Sequence, residues 1–109
     1  MTATTLEQTL DAAVPAYMAW LRDSREWSWE RDEDGTVFLL LEHLRLWLFE
    51  RASGDGRRRA WAAVETLLPS DDALLLNALA VGLLEGDWPR RDRRMMGPRT
   101  RELWAEEPA

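Results

Sequence analysis

The sequence predicts a single all-helical domain, an up-and-down bundle or a short stack of antiparallel helical hairpins with four to five helices. Three observations carry this expectation. Apolar residues recur at spacings of three and four along most of the chain, the period of one face of a helix. The breaks between the central runs are only two to four residues long, which makes neighbouring helices antiparallel. The 109 residues leave room for one core, so residues 1–109 are read as one domain.

Thr4 with Glu7, or Thr5 with Gln8, fits a capping box at the first helix start. Leu6, Leu10, Val14, Tyr17 and Leu21 line one stripe, and Pro15 removes a hydrogen bond within it, so two short helices are expected there. Residues 23–35, DSREWSWERDEDG, read as an acidic loop carrying two tryptophans. Thr36 is then a plausible N-cap for a helix from Val37 to Ala52. That helix is apolar on both sides, with Val37, Leu40, Leu41, Leu44 and Leu48 on one stripe and Leu39, Leu46 and Trp47 largely opposite, which predicts a helix sandwiched between neighbours. Ser53–Gly56 breaks it. Arg57 to Leu68 forms the next helix, with Ala60, Trp61, Val64, Leu67 and Leu68 on one face, and Pro69 ends it. Ser70 provides an N-cap, with Asp71 and Asp72 suited to the positive helix end. The following run, Ala73 to Glu85, is nearly all apolar and predicts the most buried helix. Within it, Asn77 is expected to bond a neighbouring helix end or loop backbone, and Gly82 to mark close helix approach. Residues 87–97 read as an arginine-rich loop, Pro98 as the first position of a last short helix, and residues 106–109 as a loose tail. The core is expected from Leu40, Leu44, Leu48, Trp61, Val64, Leu75 and Leu79.

Composition narrows the function classes. There are no cysteines, so disulfides, thiolate metal sites and cysteine nucleophiles are excluded. No apolar stretch reaches the roughly 18 residues of a membrane span, and the first ten residues lack the pattern of a secretory signal, so a cytoplasmic protein is expected. The net charge is −6, and its excess lies in residues 1–56. Such a balance disfavours phosphate backbones and anionic membranes and favours a basic partner.

His43, the only histidine, has no HExxH pattern and no carboxylate at a paired helical spacing. The reading is therefore no catalytic residue, no metal ligand and no cofactor: a binding protein rather than an enzyme. The acids at 23–34 lack the order of a calcium loop. Tryptophan is nonetheless enriched at interface hot spots, and this makes Glu26, Trp27, Trp29, Glu30, Asp32, Glu33 and Asp34 the candidate partner-binding residues. Two readings of Trp27 and Trp29 stay open, as partner anchors or as side chains folded onto the core. The surface of the third expected helix around Glu42, His43 and Glu50 is the next candidate. The clusters Arg57–Arg59 and Arg90–Arg94 offer the alternative, a nucleic-acid-binding or regulatory module. Pairing of the second cluster with the acidic loop or acidic helix ends is the plainer account of it.

Three stretches, VFLLLEHLRLWL at Val37 to Leu48, NALAVGLLEG at Asn77 to Gly86 and MGPRTRELW at Met96 to Trp104, give residues Thr36 to Trp104 a resemblance to small helical immunity proteins of bacterial polymorphic toxin systems. The resemblance implies a cognate inhibitor that covers the active site of a toxin effector. With an acidic inhibitor, a nuclease with its basic cleft is the natural target. No catalytic residue is implied.

Overall fold

A computed structural model describes residues 1–24 and 32–106. Among them there are seven helices and no strand, so the all-helical single domain holds while the count of four to five helices does not.

α1 (Ala3–Ala13) is capped by Thr2, whose hydroxyl oxygen accepts from the Thr5 N–H at 3.1 Å. The cap thus lies two residues before the expected box. Val14 breaks the path and Pro15 opens α2 (Pro15–Asp23), where a missing N–H costs nothing. Leu6, Leu10, Val14, Tyr17 and Leu21 are all buried, as their spacing predicts. Tyr17 donates its hydroxyl to the Leu40 carbonyl, and burial pushes its pKa well above the usual phenol value.

α3 (Glu33–Glu50) begins before the expected Thr36 cap, which shortens the predicted 23–35 loop from its C-terminal side. Asp32 is the cap: its backbone is extended, and its carboxylate accepts from the Gly35 N–H at 2.6 Å. Thr36 instead lies inside the first turn, buried, donating its hydroxyl to the Asp32 carbonyl at 2.9 Å. Aspartate outranks threonine as a cap, and Glu33 and Asp34 then fall where the helix dipole favours acids. α4 (Gly54–Thr66) likewise starts inside the predicted break, with Ser53 accepting from the Gly56 N–H at 3.0 Å.

α5 (Ala73–Asn77) is capped by Asp72, which accepts from the Leu75 N–H at 3.1 Å. It continues as a π-helical stretch, Ala78–Leu84, a rare wide winding in soluble proteins. Asn77 is exposed, so its expected bond to a neighbour is not made. Gly86, at φ +90°, turns the chain away, a conformation open to glycine and strained for other residues. α6 (Arg90–Met95) occupies the segment 87–97 expected as a loop, and α7 (Pro98–Glu106) starts at Pro98 as expected. α6 escapes a periodicity reading because it has six residues and its inward positions, Asp92 and Met96, include a charge.

α3 is the central element. It packs against α1, α2, α5 and the π-helical stretch, while α4 packs against α1, α6 and α7. The π-helical stretch comes so near α3 that a Cβ on Gly82 would stand 3.4 Å from the Phe38 carbonyl oxygen and 3.6 Å from the Glu42 nitrogen. All seven expected core residues, Leu40, Leu44, Leu48, Trp61, Val64, Leu75 and Leu79, are buried.

The start of α7 is fastened to α4 by one carboxylate. Glu65 accepts from the backbone N–H groups of Thr100 at 2.9 Å and Arg99 at 3.2 Å, and from the Thr100 hydroxyl at 2.9 Å. Burial alone would push the Glu65 pKa up. The bonds from Thr100 and Arg99, with the Arg99 charge, outweigh it and hold the carboxyl below its usual range. Because the folded pKa is the lower one, the stabilisation is present above the unfolded pKa and is lost as pH falls through the folded value. Glu65→Gln should therefore melt below wild type at pH 7 and approach it on acidification toward pH 3. A melting difference that stays constant over this range would show that the charge of Glu65 contributes nothing.

Candidate functional site

α3 carries apolar residues on more than one side, and the described residues cover only part of them. On the open side, Leu39 is half-buried, Leu46 is 39% exposed and Phe49 is 43% exposed. The expected sandwich is therefore incomplete: Trp47, expected on the same side as Leu46, is buried, and Leu46 is not. Leu39, Glu42, His43, Arg45, Leu46 and Phe49 line a groove of about 350 Å³. Beside it, Phe38, Glu42, Arg45, Val81, Gly82, Glu85 and Gly86 line a second depression between α3 and the π-helical stretch. Val81 is 39% exposed there. Two rows at helical spacings of three and four, Leu39–Glu42–Leu46–Phe49 and Leu39–His43–Leu46–Glu50, share Leu39 and Leu46 and so form one continuous stripe.

The floor of this face is rigidly built. Arg45 donates from Nη1 to the Leu83 carbonyl at 2.9 Å and to the Glu85 carbonyl, closing the end of the π-helical stretch onto α3. Its guanidinium carbon lies 5.3 Å from the ring centres of both Phe49 and Trp88. Phe49 stacks on Trp88 at 4.4 Å, and Trp88 meets Trp61 edge-on at 5.0 Å. The one basic residue of the groove is thus occupied with carbonyls and ring faces, and the charges left on the face are Glu42, Glu50 and Glu85, all exposed. His43 is half-buried and donates from Nδ1 to the Leu39 carbonyl at 2.9 Å, a bond within its own helix. Among the described residues no three His, Asp or Glu side chains come together as a metal site.

Of the candidate partner-binding residues, Glu26, Trp27, Trp29 and Glu30 lie outside the described residues. Asp32 and Asp34 are exposed at the start of α3, and Glu33 is its first residue, so three of the seven belong to a helix end rather than to a loop. The sequence reading named this surface second, around Glu42, His43 and Glu50, but left out Leu46 and Phe49, because they look like core in a helix with apolar residues on both sides. The acids and the histidine interspersed among them, at 42, 43 and 50, were the available signal.

The two arginine clusters part company. Arg57 is 4% exposed and donates to the Asp92 carboxylate at 2.7 Å, Arg59 pairs with Asp55 at 3.0 Å, and Arg58 is exposed. Arg57–Arg59 is therefore not one anion-binding patch. Arg90, Arg93 and Arg94 do share a surface, joined by Arg101 and Trp104 of α7 around an open cleft of about 620 Å³. Their expected pairing with acidic helix ends is absent among the described residues, where the cluster's ion pair is the long one from Arg91 to Asp92, at 3.8 Å; the alternative, pairing with the acidic loop, falls mostly outside the described residues.

No helix among the described residues is long and apolar enough to cross a membrane. No family model, curated protein or solved structure matches the chain.

Proposed function

We propose that this protein is an immunity-type inhibitor, a non-catalytic module that covers a basic active-site surface of a protein toxin through the open face of α3. The observation that supports this reading is that α3 carries apolar residues on more than one side, yet among the described residues Leu46 stays 39% and Phe49 43% exposed. Exposed apolar surface rimmed by charge marks a partner interface. Here the rim is acidic, formed by Glu42, Glu50 and Glu85, with Asp32 and Asp34 at the same helix's start, so it complements a cationic surface. In such an interface the aromatic and aliphatic centre holds the complex, while the carboxylates raise the association rate. A nuclease fits the charge requirement, because its active site must attract phosphate. The acids at 26–34 carry the same sign of charge, and Trp27 and Trp29, which lie outside the described residues, are proposed as further anchors.

The test is protection in cells. The chain is co-expressed with the product of the gene directly upstream of its own, and growth is followed. Wild type should restore growth, and Leu46→Asp/Phe49→Asp should lose protection with a circular dichroism spectrum unchanged. Loss of the pair as hot-spot residues should cost about 2 kcal/mol or more in affinity for the purified effector. Full protection by a folded double variant would rule out the α3 face, and an upstream product that is harmless would remove the inhibitor reading itself.

A further inference from the structure

The basic cleft between α6 and α7 is not explained by an inhibitor whose binding face is acidic. Its composition follows from how α6 sits. The lone acid of the RRDRR run, Asp92, is fully buried and points inward to Arg57 and Trp61. With its one carboxylate turned into the core, α6 presents Arg90, Arg93 and Arg94 outward, unneutralised by any described acid. α7 adds Arg101, anchored by donating from Nε to the Arg93 carbonyl at 3.0 Å, which ties the two helices into one wall. It also adds Trp104, whose indole N–H is spent on the Gly86 carbonyl at 3.0 Å, leaving the ring itself as lining. Four guanidinium groups held together repel one another, a cost that an anion bound among them removes. Arginine's planar fork is the side chain best matched to phosphate oxygens.

We propose that this cleft binds a nucleoside polyphosphate, with the phosphates among Arg90, Arg93, Arg94 and Arg101 and the base against Trp104. Two observations select a compact ligand over a nucleic-acid strand. The cleft, at about 620 Å³, is the size of a small-molecule site. The chain as a whole carries a net charge of −6, with twenty Asp and Glu against fourteen arginines, a balance that disfavours an extended phosphodiester backbone. The aromatic wall in turn selects a nucleotide over a bare phosphate chain, since a ring offers stacking that inorganic phosphate cannot use.

Isothermal titration calorimetry at low salt on the full chain tests the proposal, with three probes: adenosine triphosphate, inorganic triphosphate and a short single-stranded oligothymidylate. The nucleotide should bind most tightly of the three, and its affinity should fall with added salt. Arg93→Ala/Arg94→Ala should weaken it by about tenfold or more, the scale of a lost charge-assisted contact. Arg90→Ala, a second exposed position, should weaken it in the same direction, and circular dichroism establishes that both variants are folded. Absence of nucleotide binding, or equal affinity in both folded arginine variants, would overturn the proposal. Inorganic triphosphate binding as tightly as the nucleotide, or the oligonucleotide binding more tightly, would overturn the assignment to a nucleotide.

Discussion

Asp92→Ala should destabilise the protein by about 3–5 kcal/mol, the scale of a buried ion pair that loses one partner. Asp92 is fully buried, and its Oδ1 accepts from Arg57 at 2.7 Å and from the Trp61 indole N–H at 3.0 Å. Alanine leaves the buried guanidinium with only the long bond to the Ala52 carbonyl, at 3.5 Å, and the Trp61 indole N–H with no acceptor. Since a domain of this kind is held together by about 5–15 kcal/mol in total, the loss is a large share of its stability. Urea denaturation at pH 7 measures it as a shift of the midpoint. Arg57→Met/Asp92→Leu should recover most of the loss, because removing both charges removes the desolvation cost along with the attraction. It should not recover all of it, since the Trp61 N–H stays unpaired. A loss below about 1 kcal/mol in Asp92→Ala, the range of an exposed pair, would mean that the carboxylate is solvated in solution.

Leu79→Ala should cost about 2–5 kcal/mol through lost burial and the cavity left behind. Leu79 is fully buried in the π-helical stretch that lies along α3. Gly82 holds that stretch close to the α3 backbone, so the neighbouring walls have little freedom to collapse into the space. Val81→Ala, two positions on but 39% exposed, should stay within about 0.5 kcal/mol, as exposed substitutions do. Comparable denaturation midpoints for the two variants would place Leu79 outside the core.

What the sequence made legible was what apolar periodicity encodes. The stripes of α1 and α2, the buried face of α3, Trp61 and Val64 on α4, and Leu75 and Leu79 all appear inside because a spacing of three and four has one physical solution. Caps were less legible, because Thr2, Asp32 and Thr36 are each acceptable and the choice depends on where the preceding chain runs. Winding was not legible at all: Ala78–Leu84 suits either an α-helix or the wider π form, and the packing against α3 is a tertiary fact. Asp92 was not singled out at all, since an acid among four arginines carries no local signal of burial and only its tertiary partners on α4 draw it inward. The groove on α3 shows the converse. Periodicity gave its residues as apolar but could not tell whether the cover comes from the same chain or from another.

The attachment of the last two helices differs in kind from that of the others. α1 to α5 meet through leucine-rich faces, whereas α6 and α7 are held to α4 mainly by polar links: Asp92 to Arg57 and Trp61, Glu65 to Arg99 and Thr100, and Arg99 to the Leu68 carbonyl at 2.8 Å. Few large apolar side chains back them, among them the buried Met96 and the half-buried Leu103 and Trp104. Proteins open locally in cooperative units, and the units with least buried apolar surface open at the lowest free energy. α6 and α7 together are expected to open as such a unit, uncovering Trp61 and Arg57 while the leucine core persists. The arginine cleft exists only while that unit is closed, and anything bound there adds its own binding energy to the closing of residues 90–106.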